Sequence, residues 1–107
     1  MAAQKISKLL HALHELELIM RNDGFWHAKP PSLEDLSSTL PFAIDTMEIT
    51  DWLQFIFIPR MHLLLAEQAQ LPIACAIAPA AEVALMGRGG IENLLAQLRE
   101  IDNVMAD

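Results

Sequence analysis

The stretch from Pro41 to Arg60, PFAIDTMEITDWLQFIFIPR, limits what this chain can become more than any other part of it. It holds Phe42, Trp52, Phe55 and Phe57, four of the six aromatic residues. On a helical wheel the apolar residues around Trp52–Ile58 cover nearly the whole circumference. A helix that is apolar all round must be enclosed by other elements. Pro59 lies inside this run. It lacks an N–H, and its ring crowds the carbonyl one turn back. The helix is therefore expected to kink near Phe55 or to restart with Pro59 in a first turn. Asp45 or Thr46 is the expected cap, with Asp45 and Glu48 in a box-like pattern. The helix is expected to end near Gln70.

The rest of the chain reads as helices that can surround this one. Ile6, Leu9, Leu10, Leu13, Leu16 and Met20 recur at helical spacing, which predicts a helix over about 4–22. Gly24 is a stop just past its end. Lys29-Pro30-Pro31 must be loop. Ser32 opens a short second helix, completed by Asp35 three residues on, with Leu33, Leu36 and Leu40 as its apolar side. Leu71 to Ala78 reads as an extended segment on the core, and Pro79 suits the first turn of a helix to about Met86. Residues 87–90 hold three of the four glycines and form a break. Ile91, Leu94, Leu95, Leu98, Ile101 and Met105 predict a last helix over about 91–105. No strand alternation or internal repeat is visible. The expected fold is all-α: one domain over residues 1–107, an up-and-down helical bundle with a central, largely buried third helix kinked or restarted near Pro59.

Composition narrows the function. The net charge is −7, and no Lys or Arg lies between Lys29 and Arg60, where Glu34, Asp35, Asp45, Glu48 and Asp51 all fall. Direct nucleic-acid binding needs a basic footprint, which is missing. A 53% hydrophobic content leaves apolar surface for a protein partner or for self-association. The lone Cys75 can form no internal disulfide and reads as a buried thiol. No signal peptide or clean membrane span is read from the pattern, so the expectation is a cytoplasmic protein.

Candidate chemistry is sparse. Arg60 falls in the buried zone of the central helix and Glu17 at the edge of the first helix's apolar stripe. A buried charge is costly unless paired, so these two are a candidate ion pair, with Asp45 as the other possible partner of Arg60. His11, His14 and Glu15 share a helix face but lack the companions of a metal motif, so no metal or cofactor is expected. Asp45, Gln54 and Arg60 are candidates for a small-molecule or enzymatic pocket between helices. Trp26 with Glu34, Asp35, Glu48 and Asp51 is the candidate partner surface.

Glu17, Trp26, Pro41-Phe42, Asp45-Thr46-Met47, Trp52-Leu53-Gln54, Ile58-Pro59-Arg60-Met61, Leu71-Pro72 and Ala78-Pro79 together resemble the YqcC-like family. The central block is the most specific part of a likeness that covers most of the chain. The resemblance implies a small bacterial all-helical protein of unknown function. Members are often labelled tRNA pseudouridine synthase C, which implies an association and carries no catalytic residue over. Pseudouridine synthases are larger mixed α/β enzymes built round a catalytic Asp, and this chain offers no sheet or basic tract for such a site. The leading expectation is therefore a non-catalytic helical interaction module, which the resemblance associates with a tRNA-modifying enzyme. The alternative is the small-molecule or enzymatic pocket at Asp45, Gln54 and Arg60.

Overall fold

The computed structural model describes residues 2–67 and 76–106, and in these the regular structure is entirely helical. Helix α1 spans Ala2–Asn22. Gly24 then takes φ +84°, and the Phe25 N–H donates back to the Met20 carbonyl at 2.8 Å, the left-handed ending that glycine permits. Phe25 turns inward and is buried.

Helix α2 is a single turn, Leu33–Leu36, started by Ser32, whose Oγ accepts the Asp35 N–H at 3.1 Å. Its leucines do not form the expected inward side. Leu33 is 86% exposed and Leu40 is also exposed, because a helix this short rests on its cap and not on a buried face. A 3₁₀ turn, Pro41–Ala43, follows. Phe42 and Ala43 both have positive φ, 57° and 49°. Each costs on the order of 1–3 kcal/mol for a residue with a side chain. The Phe42 ring offsets a part of this by meeting Trp52 edge-on, with centroids 5.0 Å apart.

The central rod consists of three abutting pieces: α3 (Ile49–Trp52), a π-helical turn (Leu53–Phe57) and α4 (Ile58–Ala66). The Ile58 N–H donates to the Leu53 carbonyl, a bond across five residues. The disturbance expected near Pro59 takes this form. Proline supplies no N–H and crowds the Phe55 carbonyl, and the wide turn lies where that strain is absorbed. Neither Asp45 nor Thr46 caps the rod. Glu48 occupies the cap position and makes no side-chain bond there. Asp45 and Thr46 lie between the strained 3₁₀ turn and the helix start, and both side chains turn back toward α2. Asp45 accepts the Ser38 hydroxyl, and Thr46 Oγ1 donates to the Asp35 carbonyl at 2.7 Å.

Helix α5 spans Ile77–Ala84 and α6 spans Glu92–Ala106. Pro79 falls in the first turn of α5, as expected. The segment read as extended over 71–78, and the Cys75 thiol, lie outside the described residues except at Ala76–Ala78, where the chain is already entering α5. Helix α6 lies along both α1 and α5, while α1 also meets α4. The core is one contiguous cluster. It joins Leu9, Leu13, Leu16 and Met20 of α1 to Leu53, Phe57 and Met61 of the rod, Ile77 and Ala81 of α5, and Leu94, Leu98, Ile101 and Met105 of α6. Every residue from Trp52 to Ile58 is buried or half-buried. No helix among the described residues is long and apolar enough to cross a membrane.

Leu53 is 0% exposed. In urea unfolding, Leu53→Ala is expected to lower stability by ~2–5 kcal/mol, while Leu33→Ala stays within ~0.5 kcal/mol of wild type. Equal effects would contradict the inward placement of the rod.

Candidate functional site

Asp51 and Gln54 are three residues apart on the rod and so share a face. Both grip His27. The His27 N–H donates to Gln54 Oε1 at 2.8 Å, and Gln54 Nε2 donates to the His27 carbonyl at 2.7 Å. His27 Nδ1 lies 2.7 Å from Asp51 Oδ1. One residue of the 23–31 loop is thus held by backbone and side chain together. A hollow of about 470 Å³ opens beside it, with Lys29, Asp35, Thr46 and Asp51 on its walls.

A second hollow, about 300 Å³, is more apolar. Phe42, Ile44, Met47 and Ile49 face Ala80, Ala84 and Leu85 across it, and Glu48 and Arg88 stand at its rim 3.6 Å apart. A third, about 620 Å³, runs between α1 and α6 and is polar, with Lys8, His11, Glu15, Gln97 and Glu100 among its lining. Gln97 ties its two walls together by donating to the Ala12 carbonyl at 2.9 Å.

The Glu17–Arg60 ion pair is not formed. Glu17 bridges Arg21 within its own helix at 2.9 Å, and Arg60 is exposed. The π-helical turn accounts for this. On an uninterrupted helix Arg60 falls on the buried arc between Ile49 and Leu53. One extra residue in a turn rotates all that follows by about 100°, which carries Arg60 into water.

The candidate pocket residues are not brought together either. Gln54 is occupied by His27, Asp45 by Ser38, and Arg60 points away. None of the three lines any of the hollows above. Asp45 also makes no ion pair with Arg60, since its carboxylate is turned toward α2.

The candidate partner surface is divided as well. Asp35 and Asp51 share the hollow beside His27, whereas Glu48 belongs to the apolar one and Glu34 is exposed on α2. Trp26 is half-buried against the core, with the Arg21 guanidinium 4.5 Å above its ring. Of the candidate metal residues, His11 and Glu15 face the polar hollow and His14 is exposed. Among the described residues no group of three or more His, Cys, Asp or Glu is placed to hold a metal ion.

Sequence reasoning missed Asp102. Its carboxylate accepts the Ile77 N–H at 3.0 Å and the Ala78 N–H at 2.8 Å, capping α5 from α6. Ala76, the residue at the cap position, has no side-chain oxygen and sits at φ +49°. The available signal was an acid beside the apolar stripe of Leu98, Ile101 and Met105, where a solvated face predicts none.

These features define a class: a small helical bundle whose clustered polar side chains mostly brace its own backbone. The relatives share the fold and define the family. A family model described as tRNA pseudouridine synthase C matches residues 8–104. The uncharacterized protein YqcC of Escherichia coli is 42% identical over 96 residues, covering 89% of this chain and 88% of that one. An uncharacterized protein of Haemophilus influenzae is 37% identical over 92 residues, covering 86% of this chain and 87% of that one. The solution NMR structure of E. coli YqcC superposes with a TM-score of 0.84 at 38% identity, over 96% of this chain and 89% of that one. A protein of Pectobacterium carotovorum named tRNA pseudouridine synthase C is 41% identical over 66 residues, 62% of this chain but 18% of that protein. The chain belongs to the YqcC-like family.

Gln54→Ala strips partners from both His27 backbone groups. It is expected to cost ~1–3 kcal/mol and to speed amide exchange at His27 well above the rate for α6. Asp102→Ala is expected to cost ~1–2 kcal/mol and to raise exchange at Ile77 and Ala78 first, as loss of a helix cap does.

Proposed function

We propose that this chain is a helical interaction module and that the protein it serves is a tRNA-modifying enzyme of the pseudouridine synthase class. One observation carries the first half. Ile44, Val83 and Met86 are 71, 71 and 79% exposed, and all three lie in or next to the segments that wall the apolar hollow. Single exposed apolar residues are ordinary; several round one apolar depression suggest a contact surface.

The second half is supported by the Pectobacterium relative. Its name is that of a synthase, yet most of its length lies outside the likeness to this chain. The named activity is then better assigned to the remainder, with the YqcC-like segment as its companion. Within one chain such a companion acts at high effective concentration, and as a separate chain it must bind. With a net charge of −7, contact with the enzyme is favoured over contact with the phosphates of tRNA. A role beside tRNA modification places the protein in the cytoplasm.

The partner surface proposed here differs from Trp26 and its acids. The Arg21 guanidinium already covers the Trp26 ring, and the four acids do not share a face. Sedimentation of the purified chain with the tRNA pseudouridine synthase C of the same cell is expected to show a mixed complex. Absence of one at ~100 µM of each, weaker than any useful cellular affinity, would remove the enzyme as partner. No binding to tRNA alone is expected even at low salt.

A further inference from the structure

We infer that the hollow beside His27 is a hydrolytic site, in which the imidazole takes a small acyl group from a neutral activated ester, aryl or thiol, and water removes it. The inference goes beyond the interaction-module reading and does not depend on it. Three partners fix His27. Gln54 binds its backbone N–H and carbonyl at 2.8 and 2.7 Å, and Asp51 Oδ1 lies 2.7 Å from Nδ1. A carboxylate only accepts, so the hydrogen of the neutral ring sits on Nδ1 and the lone pair on Nε2. The Asp51 side chain is 22% exposed and the His27 ring 49%. Asp51 thus shelters one edge of the ring and leaves Nε2, on the other edge, without a bond among the described residues.

A nucleophile oriented by a neighbouring group is the general form of covalent catalysis. Here the orienting carboxylate also balances the positive charge that the ring gains when Nε2 forms a bond. The other three histidines lack this support. His11, His14 and His62 are exposed, and among the described residues none has a carboxylate bonded to its ring.

The walls select the substrate. The hollow measures about 470 Å³, within the range of small-molecule sites. Ala28, Pro30, Pro31 and Met47 offer apolar contact to a short acyl group. Its charged residues are Lys29, Asp35 and Asp51, two acids to one base. An anionic ester is opposed there, whereas a neutral one is not. Lys29 carries the wall's one positive charge, which suits a developing oxyanion. The Thr46 hydroxyl is engaged with the Asp35 carbonyl, which leaves His27 as the nucleophile.

Nε2 adds to the acyl carbon, and the carbonyl electron pair moves onto oxygen. That pair returns as the bond to the aryloxy or thiol group breaks, and the group leaves as its anion. The ring is now an acyl-imidazolium with Nδ1–H still on Asp51. Water adds to the same carbon and gives a proton to solvent. The C–N bond then breaks, the acid departs, and Nε2 regains its lone pair.

The test uses the full chain with p-nitrophenyl acetate, followed by nitrophenolate release, and p-nitrophenyl phosphate as the anionic counterpart. Release from the acetate is expected to exceed that given by free imidazole matched to the four histidines. His27→Gln is expected to lower it by about tenfold or more, while His11→Gln, His14→Gln and His62→Gln each stay within about twofold. The ring is half exposed and the Gln54 bonds go to the backbone, so the fold survives its loss. Asp51→Asn keeps an acceptor for Nδ1 but removes the charge. It is expected to lower kcat by about tenfold with KM little changed, a split that a loosened fold does not give. Diethyl pyrocarbonate, mapped by peptide mass, is expected to label His27 first of the four. Wild-type release by His27→Gln, labelling of all four histidines at one rate, or faster release from the phosphate than from the acetate would each overturn the inference.

Discussion

A primary amide shut away from water must find both an acceptor and a donor, and Gln54 is 7% exposed. It finds both in the backbone of one residue, His27, as a neighbouring strand would. Much of the N-terminal half depends on that exchange. It brings the loop after α1 onto the rod, which sets Phe25 in the core and Trp26 against it. It also fixes where α2 can begin. An apolar residue at position 54 would pack as well but would leave the loop with nothing to hold, so the expense of burying an amide is offset by the definition it gives.

The second constraint is proline in a rod that cannot be interrupted. Breaking the helix at Pro59 would leave unpaired backbone groups among Phe57, Met61 and Leu65, where water does not reach. Widening one turn avoids this and rotates the far half of the helix relative to the near half. The rotation keeps one face of the rod turned inward. Leu53 and Phe57 meet the core before the shift, and Met61 and Leu65, which a straight helix would carry off that face, meet it after.

What was legible in the chain follows from how far each determinant reaches. Helices α1 and α6 were plain because their apolar periodicity is a repeated local signal. The Ser32 start and the Gly24 stop were plain because a cap involves neighbours three or four residues away. Asp45 shows the limit of that logic. It has the spacing of a cap, but Ser38, seven residues back, claims its carboxylate once the 3₁₀ turn forms. Arg60 failed for another reason: its assignment assumed a constant helical repeat, and a single wide turn moves the phase. Asp102 and Gln54 act across 24 to 27 residues, and no local pattern announces such partners. The candidate site was therefore less legible than the fold, since the residues proposed for it depend on contacts between elements.

The carboxylate of Asp102 has a consequence in time as well as in space. Helix α5 is eight residues long, too short to persist alone in water. The group that completes its first turn sits 25 positions later in the chain. During synthesis α5 is made before that group exists, so it can settle only when α6 arrives. The C-terminal half of the protein must then close in a single late event, with the last helix drawing in the one before it.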